Sequence, residues 1–301
     1  MMDHRLIVCD VDGTLLNSSL EILPGTRAWL TAAQSRGLIV MLASGRPVAG
    51  LHRLVRRCEL NPTGMILAGY NGAYVVEADS RRTLTRSTIP LATARRVAEI
   101  ARSRNDLVIL WCHGNQVYTP QPQNPSVIAQ ARENDLEIVP TPDLDVLDQA
   151  PDAIVCHGGE QLGALVRLIR ARLRDEVEFS FASGSYIEIT AHGATKGSAL
   201  RRWCSYADIP MGGVIAFGDH DNDIPMLEAA GLAVAMGNAT PAVKAVADVI
   251  THGHDDEGIA AVLSELAPSD LVDTRPAPAP GATTADASGR RMAVRPLLPK
   301  Q

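Results

Sequence analysis

Residues 6–14 read Leu6-Ile7-Val8-Cys9-Asp10-Val11-Asp12-Gly13-Thr14, and this stretch constrains the fold more than any other. Four mostly aliphatic residues in a row read as a buried strand, which the following Asp, Asp, Gly and Thr cannot comfortably extend. A strand therefore ends where two carboxylates begin. In an open parallel α/β sheet, ligands collect at the carboxyl ends of strands, so Asp10 and Asp12 are delivered to where chemistry usually sits. Gly13 lets the backbone turn closely around a ligand. The plainer reading of Asp-x-Asp-Gly is an ordinary acidic turn, and the rest of the chain must decide between the two.

The chain has 301 residues, 46% of them hydrophobic, enough for two domains. Aromatic residues make up 4%, so the core must rest on Ala, Val, Leu and Ile. A net charge of −6 argues against a general nucleic-acid-binding surface and points to a small-molecule partner. Cys9, Cys58, Cys112, Cys156 and Cys204 are far apart, with no Cys-x-x-Cys pair, and read as reduced, packed thiols. With no apolar signal region and no stretch near the roughly 20 apolar residues of a membrane span, a cytoplasmic protein with no membrane partner is expected.

Pro24 suits the first turn of a helix that runs to about Ser35 and ends at Gly37. Leu38–Leu42 is a second buried strand, ending in Ala43-Ser44-Gly45-Arg46-Pro47, and Pro47 opens a helix through about Cys58. Gly64–Ala68 is a third strand, ending at Asn71-Gly72. Successive strand, loop and helix units predict right-handed crossovers and a parallel sheet. From about Arg82 to Ser185 the rhythm changes. Helices at Leu91–Arg102, Asn124–Asn134 and Glu160–Leu173 alternate with short strands at Leu107–Cys112, Gln116–Thr119, Ile154–His157, Val177–Ala182 and Tyr186–Thr190. This predicts an inserted antiparallel sheet with helices on one face. The parallel rhythm returns with a helix over Lys196–Tyr206, a strand over Val214–Phe217, a helix over Asp223–Ala229, and strands at Leu232–Val234 and Val249-Ile250. Beyond Pro268 the Pro/Ala-rich composition predicts a disordered tail over 268–301.

The loop Gly218-Asp219-His220-Asp221-Asn222-Asp223 follows its strand as Asp10 follows the first. Asp10, Asp12, Asp219 and Asp223 converging at one sheet edge would repel one another unless a hard divalent cation neutralised them. Oxygen ligands without a His/Cys cluster favour Mg2+, which shares its sites with phosphate. Lys196 supplies a compact positive charge, and Thr14 and Ser44 offer hydroxyls to phosphoryl oxygens. Such parts suit a carboxylate attacking a phosphate ester, with Asp10 as nucleophile at the strand end and Asp12 as acid and base on the turn.

The motifs Asp10-Val11-Asp12-Gly13-Thr14-Leu15, Ser44-Gly45-Arg46, Lys196-Gly197 and Gly218-Asp219-(x)2-Asn222-Asp223 resemble, in order, the four motifs of the haloacid dehalogenase-like superfamily, and within it the Cof-type phosphatases. Asn71-Gly72-Ala73, Met236-Gly237-Asn238-Ala239 and Asp256-Glu257-Gly258-Ile259 match minor signatures, so that the likeness spans about residues 5–266. The resemblance implies an α/β fold: a Rossmann-like doubly wound parallel-sheet core over 1–81 and 186–267, with an inserted α+β cap domain over 82–185 that chooses the substrate. It implies a magnesium-dependent phosphatase acting on small phosphorylated metabolites, sugar phosphates first and flavin or pyridoxal phosphates next, through an aspartyl-phosphate intermediate. Asp10 would be nucleophile and metal ligand. Asp12 would be acid/base and would offer its backbone carbonyl to the metal. Asp219 would be the third protein ligand, with Asp223 supporting the metal. Lys196 would stabilise the nucleophile and phosphoryl charge, and Asn222 would help hold the phosphate, with Thr14, Ser44, Gly45 and Arg46 as further candidates for substrate binding.

Two alternatives stay open: a phosphotransferase or phosphomutase of the same fold, and a non-catalytic phosphometabolite-binding protein. His220 and Cys9 stand where the family more often has a small or polar residue and an aromatic, and His220 is expected to be a solvent-facing loop residue. Arg46 is balanced between a substrate contact and local pairing. His252-Gly253-His254-Asp255-Asp256 reads as a surface turn before a second metal site. Trp111 and Tyr118 are candidates for stacking on a ring, against core packing for at least one of them.

Overall fold

The computed structural model describes residues 4–104, 106–183 and 186–266. The tail expected over 268–301 lies outside the described residues. The chain begins with β1 (Leu6–Cys9), α1 (Pro24–Ser35), β2 (Ile39–Ala43), α2 (Val48–Arg57), β3 (Met65–Gly69), β4 (Tyr74–Glu77) and β5 (Thr83–Arg86). It continues through α3 (Leu91–Arg102), β6 (Val108–His113), β7 (Gln116–Thr119), α4 (Pro125–Glu133), β8 (Glu137–Pro140), β9 (Ala153–His157), α5 (Gln161–Leu173), β10 (Val177–Ser183) and β11 (Tyr186–Ala191). The last part holds α6 (Lys196–Tyr206), β12 (Val214–Gly218), α7 (Ile224–Leu227), β13 (Leu232–Ala235), α8 (Pro241–Val246), β14 (Val249–Ile250) and α9 (Gly258–Glu265).

Eight strands form the first sheet in the order β14-β13-β12-β1-β2-β3-β4-β5. From β14 to β3 every neighbouring pair is parallel, and β1 is hydrogen-bonded on both edges, to β2 and to β12. The apolar run Leu6–Cys9 is therefore wholly enclosed. Right-handed crossovers that step from β1 to β3 place α1 and α2 on one face, and those that step the other way from β12 place α7 and α8 on the opposite face. The direction of winding reverses between β1 and β12, and such a switch point opens a crevice at the strand ends.

β4 and β5 extend this sheet antiparallel, an addition the sequence reading did not include. The second sheet has six strands in the order β10-β11-β9-β6-β7-β8, antiparallel except for β7 and β8, which run parallel. The change of sheet does not fall at residues 81/82 and 185/186. β5 belongs with β4, and β11 pairs with both β10 and β9, so the hairpin of β10 and β11 stays in one sheet. α3 and α5 pack together and build a second core with this sheet, separate from the core of the first. Among the described residues no helix is long and apolar enough to cross a membrane.

Pro24 occupies the first turn of α1, where its missing N–H is no loss. No neighbouring side chain caps this helix. Glu257 does so from far along the chain, accepting hydrogen bonds from Gly25 N (2.6 Å), Thr26 N (2.7 Å) and Thr26 Oγ1 (2.8 Å). Glu257 sits in left-handed backbone just before α9, so one residue ties the two helices together.

Candidate active site

β1 and β12 end side by side, with Cys9 opposite Phe217, so Asp10, directly after β1, and Asp219, directly after Gly218 at the end of β12, enter one crevice. Asp223 comes from the short turn that follows Asp219, and Asp10, Asp219 and Asp223 offer carboxylate oxygens that all lie within 4.8 Å of one another. Lys196 enters from the first position of α6, whose N-terminus is held by a reciprocal Thr195 and Ser198 capping box. Its ammonium lies 2.5 Å from Asp10 Oδ1 and 2.5 Å from Asp223 Oδ1, and its side chain is 1% exposed.

Charge and burial oppose each other here. Burial, reinforced by Asp223 and Asp219, holds the Asp10 carboxyl well above the usual carboxylate range, although Lys196 pulls it down. Asp219 is raised by burial and by Asp223, against a hydrogen bond from Thr14 and the pull of Lys196. Burial works against the Lys196 ammonium, but Asp10 and Asp223 outweigh it and keep the lysine above its ordinary range. Thr14 Oγ1 donates to Asp219 Oδ1 at 2.8 Å, and the backbone N–H groups of Asp219 and His220 donate to Asp223 Oδ2. Gly13 has φ +87°, and a Cβ there would lie 2.5 Å from Asp219 Oδ2, so a side chain would push the carboxylate out of the crevice. Asn238 Nδ2 holds this turn by donating to Gly13 O at 2.8 Å.

The donor set fits a hard divalent cation. Three enclosed carboxylates face one ammonium, all available ligand atoms are oxygens, and a doubly charged ion would offset the burial and the mutual repulsion that raise Asp10 and Asp219.

The Asp12 side chain does not join this group, contrary to the expected convergence of all four carboxylates. It turns outward and is held by the guanidinium of Arg46, Nε to Oδ2 at 2.7 Å and Nη2 to Oδ1 at 2.5 Å. A planar fork matches a carboxylate so well that it takes both oxygens. Ser44 is buried at the end of β2, its Oγ accepting from Arg46 N, and Gly45 lies against the carboxyl group of Glu188. Asn222 Nδ2 donates to Asn71 Oδ1 at 2.8 Å. His220 is exposed, as expected of a loop residue. Trp111 and Tyr118 pair across β6 and β7 inside the second core, with Trp111 Nε1 bonded to Gln149 O and Tyr118 OH to Gln116, so neither stands ready to stack on a ligand.

One residue beside the site escaped the sequence reading: Glu188, a buried acid within strand β11. Asn71-Gly72 matches a minor signature and reads in sequence equally as part of the site floor or as a tight turn; Asn71 is a buried amide beside the site. The signal for Glu188 was available: an acid flanked by Ile187 and Ile189, eight residues before Lys196, has no reason to be there for packing alone. A cavity of about 450 Å³ opens beside the crevice, lined by Arg46, Gln130, Glu133, His157, Tyr186 and Glu188 among others. His157 Nε2 and Gln130 Oε1 are 2.7 Å apart, and burial lowers the His157 pKa, favouring a neutral ring.

Comparison with known proteins agrees with this geometry over most of the chain. A family model described as haloacid dehalogenase-like hydrolase matches residues 7–263. A solved haloacid dehalogenase-like hydrolase from Bacteroides thetaiotaomicron shares the fold with a TM-score of 0.79 and 31% identity, covering 87% of this chain and 99% of that one. The 5-amino-6-(5-phospho-D-ribitylamino)uracil phosphatase YitU of Bacillus subtilis (strain 168) is 28% identical over 276 residues, 86% of this chain and 96% of its own. The pyridoxal phosphate phosphatase YbhA of Escherichia coli (strain K12) is 26% identical over 275 residues, 86% of this chain and 97% of its own. Motifs, strand-end carboxylates and likeness over most of the chain lead to one conclusion: the chain belongs to the haloacid dehalogenase-like hydrolases, of the Cof type.

Proposed function

We propose that this chain is a phosphoric monoester hydrolase that uses Mg2+ to release phosphate from small phosphorylated metabolites, with sugar phosphates the leading class. The observation that carries the reading is the Lys196 ammonium seated between Asp10 and Asp223 in an enclosed group of carboxylates at the β1/β12 crevice. Phosphatases among the relatives support the reaction class; flavin and pyridoxal phosphates are the next substrates to try, together with the 5-amino-6-(5-phospho-D-ribitylamino)uracil for which one relative is named.

Asp10, Asp219 and Asp223 would hold the cation, with the Asp12 backbone carbonyl as a further oxygen. When bound, Mg2+ supplies charge stabilisation for the phosphoryl oxygens. The Asp10 carboxylate attacks phosphorus, and the bond from phosphorus to the ester oxygen breaks. Lys196 holds the nucleophile and balances charge on the phosphoryl group. Asp12 delivers a proton to the departing alcohol oxygen, which requires Arg46 to open its grip on the side chain. The aspartyl-phosphate on Asp10 is then cleaved by water, whose proton Asp12 takes up. Thr14, Ser44, Gly45, Arg46 and Asn222 border the phosphoryl group, and the cavity lined by Tyr186 and His157 has room for the leaving group. The segment spanning the second sheet acts as the cap that shapes this cavity.

The test is phosphate release from a panel of sugar, nucleotide, flavin and pyridoxal phosphates, with Mg2+ or with EDTA, using Asp10→Asn as the blank. Turnover that needs the metal and disappears in a folded D10N protein is expected. Near-normal activity in D10N would sink the mechanism. Phosphate passing to an added sugar acceptor rather than to water would turn the reading to a phosphotransferase.

A further inference from the structure

Three successive residues of the turn after β3 have left-handed backbone: Tyr70 (φ 49°), Asn71 (φ 53°) and Gly72 (φ 91°). Such conformations are costly for residues with a Cβ and persist only where the surroundings enforce them. Each of the three is used. The Tyr70 ring packs into the core of the second sheet. At Gly72 a Cβ would meet Thr195 O at 2.6 Å, so only glycine lets α6, and with it Lys196, come so close. Asn71 lies between them, 5% exposed, with both ends of its amide engaged.

Asn71 Nδ2 donates to Glu188 Oε2 at 2.6 Å, and Asn71 Oδ1 accepts from Asn222 Nδ2 at 2.8 Å. These bonds run from the second sheet to the turn carrying Asp219 and Asp223. Their directions are linked. A Glu188 oxygen, which accepts whether or not the other oxygen carries a proton, meets the Asn71 nitrogen; the Asn71 oxygen then faces Asn222, whose nitrogen turns inward. Glu188 is held in place by β-sheet register, opposite Ser180 on β10 and Val155 on β9. Glu188 and Asn71 are buried and Asn222 is half-buried, so the bond between Glu188 and Asn71 above all matters, because water cannot easily replace a lost partner there.

We propose that Glu188 and Asn71 are positioning residues for phosphoryl transfer: through two hydrogen bonds they set the Asn222 amide and the turn behind it. This rests on the phosphatase reading above. It makes the second sheet part of the catalytic geometry, since a strand that contributes no reacting group decides how a loop of the first sheet is presented.

A double-mutant cycle with p-nitrophenyl phosphate and Mg2+ tests it. E188A and N71G, the latter keeping a residue at ease in left-handed backbone, should each lower kcat by about 10- to 100-fold. The double variant should be no slower than N71G, because both remove one connection. E188Q retains an oxygen for Asn71 and should recover most of the loss. Losses that multiply in the double variant, or an E188A defect confined to KM, would mean that Glu188 acts on the substrate by itself and would overturn the proposal. The second readout is independent of catalysis. In the metal-free protein the Asn222 side-chain amide resonances, assigned by their loss in N222A, should move in E188A and N71G and return in E188Q. Unmoved resonances in N71G overturn the proposal even if E188A does not fold. A wild type that hydrolyses no ester in the panel defeats the phosphatase reading alone, and the resonances still decide the connection.

Discussion

Glu188 carries a second consequence, in stability. Burial pushes its carboxyl from the usual 4.5 up to about 8, against the pull of Lys196 and the Asn71 hydrogen bond. Between those two pH values the folded chain holds a proton on Glu188 that the unfolded chain has released, so this residue's contribution to stability falls as pH rises through the window. Glutamine keeps the shape and has no proton to lose. The unfolding midpoint of E188Q, measured in EDTA, should therefore lie close to wild type at pH 5 and increasingly above it towards pH 8. A difference that stays flat across that range would show that Glu188 titrates normally.

At the scale of elements, α1 depends on a carboxylate brought from the other end of the fold. Glu257→Ala removes three hydrogen bonds from the first turn of α1, and losing a cap with a charge at a helix N-terminus costs about 1–2 kcal/mol. Urea denaturation should show that loss with the slope unchanged; a midpoint equal to wild type would mean that water caps the helix as well. The helix itself was legible. Pro24 at the first turn and the apolar spacing that follows mark its limits, and apolar spacing also delimits Leu91–Arg102 and Lys196–Tyr206. The cap was not legible, because local spacing carries no information about a partner 232 residues away. The same reason hid other features. Thr83–Arg86 is a short, partly exposed edge strand whose pattern identifies no neighbour, and β8 looks no different in sequence whether it pairs parallel or antiparallel. At the site, strand ends pointed to Asp10 and Asp219 and a helix start to Lys196, which the fold brings together. Which carboxylate Arg46 would seize, and that Asn71 would meet Glu188, depend on side-chain reach across loops.

For the molecule as a whole, the two sheets are fastened by Arg86 of β5 and the fully enclosed Asp152. The guanidinium meets the carboxylate at 2.6 and 2.8 Å, and Gly114 N adds a third bond at 2.8 Å. Asp152→Ala leaves the half-buried Arg86 cation and the Gly114 N–H without their partner at the junction, and should lower the unfolding free energy by about 1–3 kcal/mol, the cost of leaving such groups unsatisfied. A loss under about 1 kcal/mol would place it with ordinary surface pairs. The position of β1 has a consequence for how such a chain is made. β1 is sandwiched between β2, which follows almost at once, and β12, which begins only at Val214. The strands of the second sheet all come from residues 108–191 and need nothing later to pair. During synthesis, then, one side of β1 waits bare and adhesive while more than half of the polypeptide leaves the ribosome, and Asp10 waits with it for Lys196. A growing chain lacks the assembled site until β12 and the turn through Asp223 have emerged, so activity detected during synthesis would mark translation past that point.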